Sequence, residues 1–385
     1  MQLSILIVSW NTKALLQACL EKLQAEVANL ECEVFLVDNA SADGSADMVR
    51  TAFPWVRLIA NDTNRGFAAA NNQALSQTTG EYILLLNPDT EVYPGSIHTL
   101  LQFMKEHPRA GVVAPQLINS DGSVQRSCRQ FPTFWGMTYE LLGFSRLFPN
   151  VQKFREYKML DWDHTGERQV DQPEGACLLL RREVIDQIGT LDEGYFMLFE
   201  EVDWCYRIKN AGWEIWFTPA AKVLHHYGQS IKQAKTRMIL SSHRGMYRFW
   251  HKHYRGNRWY LDAPAYFGLM CLAYLRILSH NLRARTQSSY TELVLGGTRR
   301  HMCSWNRFQM MTLQYIRSKW AMRRNWSLSG KITFQSLLMM CFWRPSPGGL
   351  VVCIKIRNLE KFSSELSQPT WRAVCGHMGK DFEVD

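Results

Sequence analysis

Tyr82-Ile-Leu-Leu-Leu-Asn-Pro-Asp-Thr-Glu91 is the stretch that decides the fold. Its five leading residues are apolar without a break, too few for a helix and too continuous for a strand with one wet face. Such a run reads as a strand buried on both faces, as in a parallel sheet covered by helices. The same design repeats upstream. Leu3–Ser9, Glu33–Asp38 and Val56–Ala60 read as strands. Between them lie helical segments at Thr12–Ala28, just after the Asn39–Ser45 loop, and at Phe67–Gln77. Leu15, Leu16, Cys19, Leu20 and Leu23 give the first helix its 3–4 spacing, and Pro94-Gly95 opens another that runs to Glu106. The expectation is an α/β domain with a mostly parallel sheet and helices on both faces.

In such sheets ligands bind beyond the carboxyl ends of the strands. The residues there are Ser9-Trp10-Asn11, Asp38-Asn39, Asn61 to Asn64 and Asn87-Pro88-Asp89. Any one Asn or Asp has a local reason to sit in a turn. Four strands delivering Asn or Asp to one rim point instead to a polar ligand that needs hydrogen bonds and a cation. Asp89 suits a divalent ion that keeps ligand phosphates in its coordination sphere, as Mg²⁺ does.

Farther along, Gly111–Ile118 reads as an edge-like strand, and Gly175–Arg181 as a buried one leading to a helix that ends at Gly189. Phe199 opens a helix that stops at Gly212; Trp213–Phe217 is a strand, and Val223–His226 reaches a second rim. Glu200, Glu201 and Asp203 crowd the first turn of that helix. Acids there offset the helix dipole, by roughly 0.3–1 kcal/mol each, and Asp203 has Arg207 four residues on as an ion-pair partner. Three acids in four residues exceed what capping requires. Like charges held together raise a pKa, which suits a general base. His225 or His226 is placed to complete a metal site with Asp89.

Five segments in order carry a family resemblance: Val8-Ser-Trp-Asn11, Val37-Asp-Asn-Ala-Ser-Ala-Asp-Gly-Ser45, Asn64-Arg-Gly-Phe-Ala-Ala-Ala-Asn-Asn72, Leu86-Asn-Pro-Asp89 and Phe199-Glu-Glu-Val-Asp203. Together they resemble the family 2 glycosyltransferases of the GT-A fold, in the branch containing bacterial rhamnosyltransferases. Asp121 to Pro132 looks like that branch too. The resemblance covers roughly residues 1–250. It implies that Asp38 receives the base of a nucleotide. Ser9, Trp10, Asn11, Asn39, Asn64, Arg65, Gly66, Asn71 and Asn87 would line the nucleotide and sugar. Asp89, with His225, would hold Mg²⁺ or Mn²⁺. Glu201 would be the catalytic base, with Glu200 and Asp203 beside it as the other acids of the cluster. The chemistry implied is transfer from a nucleotide-sugar donor, dTDP-rhamnose first and a UDP-sugar second, to a glycan or lipid-linked acceptor with inversion at the anomeric carbon. Two positions depart from the family pattern, Asn87-Pro-Asp89 for a two-acid motif and Glu200-Glu201 for a Glu-Asp pair, and they keep a catalytically inactive nucleotide-sugar-binding protein as an alternative, beside a basic nucleic-acid-binding protein.

Charge divides the chain. Residues 1–245 hold 23 Lys and Arg against 28 Asp and Glu; the remaining 140 hold 21 against 7. A basic C-terminal part calls for an anionic partner, a membrane surface or a nucleic acid. His243-Arg-Gly-Met-Tyr-Arg-Phe-Trp-His-Lys-His-Tyr-Arg255, followed by the charge-free Ala263–Leu275, favours a membrane surface. No nucleic-acid-binding motif is present, so nucleic acid is not the expected partner. The 13-residue run is short of the roughly 20 that a spanning helix needs. The expected division is a catalytic domain over 1–245, a basic amphipathic membrane-associating region over 246–288, and a basic tail over 289–385. Met, Cys and Trp make up 16 of the tail's 97 residues, and it reads either as a small accessory domain or as no evolved domain at all. Ten scattered cysteines without a CxxC, and an N-terminus without a signal pattern, fit a cytoplasmic protein peripheral to the inner face of the membrane.

Overall fold

The computed structural model describes residues 2–133, 151–226 and 235–295, positions 136, 139, 144, 148 and 150, and strands at 339–346 and 349–356, with side chains up to residue 281. The strands are β1 (Leu3–Ser9), β2 (Cys32–Asp38), β3 (Arg57–Ala60), β4 (Tyr82–Leu86), β5 (Thr90–Val92), β6 (Ala110–Ile118), β7 (Cys128–Arg129), β8 (Arg168–Gln169), β9 (Gln172–Pro173), β10 (Cys177–Arg181), β11 (Glu214–His225), β12 (Met339–Ser346) and β13 (Gly349–Ile356). The helices are α1 (Lys13–Val27), α2 (Ser45–Ala52), α3 (Phe67–Leu75), α4 (Ser96–Glu106), α5 (Gln152–Arg155), α6 (Arg182–Ile188), α7 (Glu200–Asn210), α8 (Lys235–His253) and α9 (Asp262–Leu295).

The central sheet runs β3-β2-β1-β4-β10-β6-β11-β5, with β8 on β11. Strands β3, β2, β1, β4, β6 and β11 point one way, while β10, β5 and β8 oppose them. The sheet is therefore mixed but mostly parallel. Period-two alternation splits β1 between two cores. Ile5 and Ile7 pack with Leu16, Leu20 and Leu23 of α1 and Leu100, Leu101 and Met104 of α4. Leu6 and Val8 face Ala68, Ala70 and Ala74 of α3 and Trp204, Cys205 and Ile208 of α7. Each aliphatic side chain buried this way stabilises the fold by about 1.5–3 kcal/mol. The small alanine face lets α3 lie close to the sheet, which brings its N-terminus to the rim.

Parallel register aligns the strand ends. Ser9 pairs with Asp38, and Asp38 with Ala60. Two expectations change. The stretch expected at an edge, β6, lies inside the sheet between β10 and β11, wholly buried. Trp213–Phe217 and Val223–His226 belong largely to one strand, β11, whose register shifts between Thr218 and Lys222. Both strands that flank β6 come later in the chain, so its neighbours are invisible in local sequence.

The 245/246 boundary also falls inside a single helix. Helix α8 runs through it and buries Met238, Phe249 and Trp250. Residues 1–289 make one compact unit and 290–385 a second. Within the second, β12 and β13 pair as an antiparallel hairpin; the rest of the tail lies outside the described residues.

Candidate active site

A cleft opens at the carboxyl ends of the sheet. Val8, Trp10, Asn39, Asn64, Gly66, Asn87 and Asp89 line it from the strand-end loops, and Glu174, Glu200, Glu201 and His225 line it from later in the chain. Segments more than 100 residues apart in sequence therefore meet in one place.

The rim is held by its own polar residues. Asn39 donates through Nδ2 to Asn64 Oδ1 (3.0 Å) and Gly66 O (3.1 Å), and its Oδ1 accepts from Arg65 N (3.0 Å). Asn11, at φ 52°, accepts from Ala42 N through Oδ1 (2.8 Å), and its own N–H donates to Ser41 Oγ (2.9 Å). Ser9 Oγ lies 3.0 Å from Thr12 Oγ1. Asp38 Oδ2 accepts from Ser41 N (2.9 Å), while its Oδ1 is buried without a hydrogen-bond partner. A buried acceptor left open carries a desolvation cost of about 1–3 kcal/mol unless a ligand meets it. Gly66 is required by contact: at φ 86°, a Cβ there would stand 2.4 Å from Phe196 O. That close approach, with Phe67 N donating to Phe196 O at 2.8 Å, joins the rim to the segment before α7.

On one wall, His225 Nε2 stands 3.6 Å from Asp89 Oδ1, both side chains under a tenth exposed. His225 Nδ1 lies 3.0 Å from Gln125 Oε1, and Gln125 Nε2 donates to Glu174 Oε2 at 3.3 Å. His226 points elsewhere, to Glu91 Oε1 (2.9 Å) and Ser120 Oγ (3.0 Å). Of the two histidines, it is His225 that meets Asp89. Among the described residues no cluster of three or more His, Cys, Asp or Glu could by itself hold a metal ion. The donor set, one carboxylate and one imidazole, fits a divalent ion that takes its remaining ligands from a diphosphate and water.

The opposite wall is the first turn of α7. Leu198 and Phe199 precede it at φ 73° and 79°, two adjacent non-glycine residues in the left-handed region. Such strain persists only where packing enforces it. Here Gly245 of α8 leaves the room, since a Cβ there would meet Leu198 O at 3.0 Å and Phe199 Cβ at 3.1 Å. The turn so placed buries Glu200 and part of Glu201, and each keeps an Oε2 without a hydrogen-bond partner. Burial pushes both carboxyls above the ordinary glutamate range, and the neighbouring Glu201 charge lifts Glu200 further. Burial also raises Glu174.

Not every expected residue meets the cleft. Asp203 is fully buried and does not line the cleft; Arg207 Nε (2.9 Å), Lys252 Nζ (2.9 Å) and His253 Nε2 (2.7 Å) donate to it. Burial alone would raise it, but those bonds hold its carboxyl below the ordinary aspartate range. Its place among the catalytic acids is therefore corrected: it ties α7 to α8. Asn71 donates to Phe67 O (2.9 Å) inside α3, and the Arg65 side chain is exposed; neither lines the cleft. Asn11 and Ser9 bond to neighbouring loop residues and do not line it either, and Asp38, buried with one oxygen open, is not among the residues that line it. Glu174, Gln125 and Arg237 were not expected. Arg237 stacks on Phe196 at 4.2 Å and lines the cleft beside Met197, Leu198 and Met238. Nothing in local pattern marks Arg237; Glu174 is the acid at the entry to the buried strand β10, a signal that could have been read.

A mostly parallel sheet with polar strand ends, a carboxylate–histidine pair on one wall of the cleft and buried acids on the other defines an α/β enzyme built around a polar ligand. Residues 4–189 match the family model described as glycosyl transferase family 2. The chain is 34% identical over 229 residues, 56% of its length and 73% of the relative's, to the N-acetylglucosaminyl-diphospho-decaprenol L-rhamnosyltransferase of Mycobacterium tuberculosis. It is 24% identical over 228 residues to a low-salt glycan biosynthesis hexosyltransferase of Haloferax volcanii, covering 58% of this chain and 67% of that one. A mannosyltransferase from Pyrobaculum calidifontis, solved with GDP-Man and Mn²⁺, aligns with a TM-score of 0.46 and 14% identity over 80% of this chain and 84% of that one. The chain belongs to the family 2 glycosyltransferases, on the rhamnosyltransferase-like side of that family.

Proposed function

We propose that this glycosyltransferase moves a rhamnosyl group from dTDP-rhamnose to a hydroxyl of a lipid-linked N-acetylglucosamine acceptor, with inversion and with a divalent metal. The observation that carries the reading is the cleft itself: an open, raised-pKa carboxylate on Glu201 faces the wall that holds Asp89 and His225. The acceptor and sugar class rest on the name of the Mycobacterium tuberculosis relative; a UDP-sugar is the second donor reading.

In this reading Asp38 Oδ1 accepts from the nucleotide base, and Trp10, Asn39, Asn64 and Asn87 line the nucleoside and sugar. Asp89 and His225 are the residues that hold Mg²⁺ or Mn²⁺. When bound, the ion supplies positive charge to the leaving diphosphate. Glu201 takes the proton of the acceptor hydroxyl as that oxygen attacks the anomeric carbon, and burial shifts its pKa upward, the direction that suits a general base. Burial raises the pKa of Glu200 beside it as well, and the Glu201 charge adds to that rise.

The acceptor's lipid places the enzyme at the inner face of the cell membrane. Tyr260, Phe267, Cys271, Tyr274, Leu275 and Leu278 form an exposed stripe along the 3-10 turn Trp259–Leu261 and α9. Residues Trp259–Asn281, a 23-residue stretch, are also long and apolar enough to cross a membrane by length and composition, longer than the charge-free run in the sequence suggests. Phe267→Ser with Leu278→Ser should lower cosedimentation with anionic vesicles; unchanged binding refutes the surface role. The function is tested by thermal shift with dTDP-rhamnose and UDP-sugars, with and without Mn²⁺. Metal-linked stabilisation by dTDP-rhamnose supports the reading, and stabilisation by a UDP-sugar alone replaces the donor.

A further inference from the structure

Gln125 is a buried side chain wedged between His225 and Glu174. Its backbone N–H donates to Leu117 O of β6 at 2.8 Å, and Val124 bridges to Ile118, so the residue is fixed against the strand that neighbours β11. From there its amide reaches His225 Nδ1 at one end (3.0 Å) and Glu174 Oε2 at the other (3.3 Å).

The three groups constrain one another. An amide has a donor end and an acceptor end. The NH₂ of Gln125 faces the carboxyl oxygen of Glu174, which offers lone pairs, and this leaves the carbonyl Oε1 facing His225. A carbonyl only accepts, so the proton of a neutral His225 sits on Nδ1. Its lone pair then sits on Nε2, the nitrogen 3.6 Å from Asp89 Oδ1. With Glu174 ionised, turning the amide over would set its carbonyl against a carboxylate oxygen, two acceptors face to face. Glu174 therefore locks Gln125, and Gln125 locks the ring. We infer that Glu174 and Gln125 are positioning residues that fix His225 in its Nδ1–H tautomer, so that Nε2 is presented beside Asp89 as a metal ligand. Such partners set the orientation and basicity of a ligating imidazole, and losing one typically lowers metal affinity about 10–100-fold. The inference rests on the metal role proposed above for His225.

The test is a nitrogen-15 NMR measurement on the full chain labelled at its histidine rings, with the His225 signals assigned by their loss in His225→Gln. The expected result, without metal and at a pH where the ring is neutral, is a pyrrole-type Nδ1 and a pyridine-type Nε2. The opposite pattern overturns the relay, whatever the variants do. In Gln125→Met the tautomers should mix, and Mn²⁺ affinity measured by electron paramagnetic resonance in the presence of dTDP should fall about 10–100-fold. Gln125→Glu, which still accepts from Nδ1, should keep the wild-type tautomer. Glu174→Gln, which removes the lock on the amide, should mix the tautomers again. An unchanged His225 spectrum in both Gln125→Met and Glu174→Gln also overturns the inference. If the wild-type chain shows the Nδ1–H tautomer yet binds no Mn²⁺ with or without dTDP, the relay stands and the metal reading of the cleft falls.

Discussion

The first turn of α7 treats its carboxylates in opposite ways, according to whether they line the cleft. On the cleft face, Glu200 and Glu201 are packed against each other with an open oxygen apiece, and burial raises both. Two residues on, Asp203 is equally buried but receives Arg207, Lys252 and His253, and is lowered. A carboxylate that only has to hold helices together is saturated with donors. In the function proposed above, the one that takes a proton from a substrate is left short of them. The rim repeats the contrast, with Asn39 bonded to Asn64, Gly66 and Arg65 while Asp38 keeps one oxygen open.

The largest effect should come from the cleft face. Glu201→Gln should lower turnover by about 10²–10⁴, the usual contribution of a general base, with calorimetric donor affinity within about twofold. Loss of donor affinity in place of rate would move Glu201 to the binding wall. Next, Asp89→Asn keeps shape and removes charge. Mn²⁺-dependent affinity for the donor should fall by about 10–100-fold or more, the range seen even for supporting residues of metal sites; unchanged affinity ends the metal role.

Away from the cleft, Asp203→Asn should cost about 2–3 kcal/mol in urea unfolding with turnover nearly intact. Breaking a buried pair typically costs about 3–5 kcal/mol. The lower figure applies because Asn still accepts hydrogen bonds and Lys252 is a third exposed. Abolished turnover in a folded Asp203→Asn would reverse the assignment of the acids.

The comparison sharpens further with pH, because the signs differ. Glu200 has a folded pKa above the ordinary value of about 4.3, so keeping it buried weighs against the fold as pH rises past that value and has no effect below it. Asp203, lowered from about 3.9, contributes fully above that value and loses its contribution as pH falls through its folded pKa. Glu200→Gln should therefore raise Tm at pH 8 and leave it unchanged near pH 4. Asp203→Asn should lower Tm at pH 8, with the deficit shrinking below about pH 3.9. Matching pH profiles for the two variants would erase the distinction.

The smallest effect is expected from the tail. Removing residues 296–385 should leave donor affinity unchanged, since every residue of the cleft precedes position 240. Lost affinity in a folded truncation would give the tail a part in the site.

These contrasts were legible in the sequence only in part. Continuous apolar runs such as Tyr82–Leu86 announced buried strands, and the polar residues after them announced the rim, because burial and side-chain period are local properties. The Asp203–Arg207 pair was legible from its four-residue spacing. Lys252 and His253 as partners of Asp203 were not, being about 50 residues away. The same blindness covers the basic stretch around residue 250. Arg248 and Lys252 bond Asp192 at 2.8 Å each, and Arg255 bonds Asp262 at 2.9 Å. Composition counts charges without showing which are paired. Gln125 and Glu174 were missed for a related reason: an amide and an acid 49 residues apart mean nothing until β6, β10 and β11 bring them together.

The most direct test of the division between the two walls is the stereochemistry of the transferred sugar. A displacement with Glu201 as base against one wall and the leaving diphosphate on the other predicts a product whose anomeric configuration is opposite to the donor's. It should be formed from dTDP-rhamnose and lipid-linked N-acetylglucosamine in the presence of Mn²⁺ and read by NMR before any equilibration. Retained configuration, or transfer at an undiminished rate by Glu201→Gln, would contradict it.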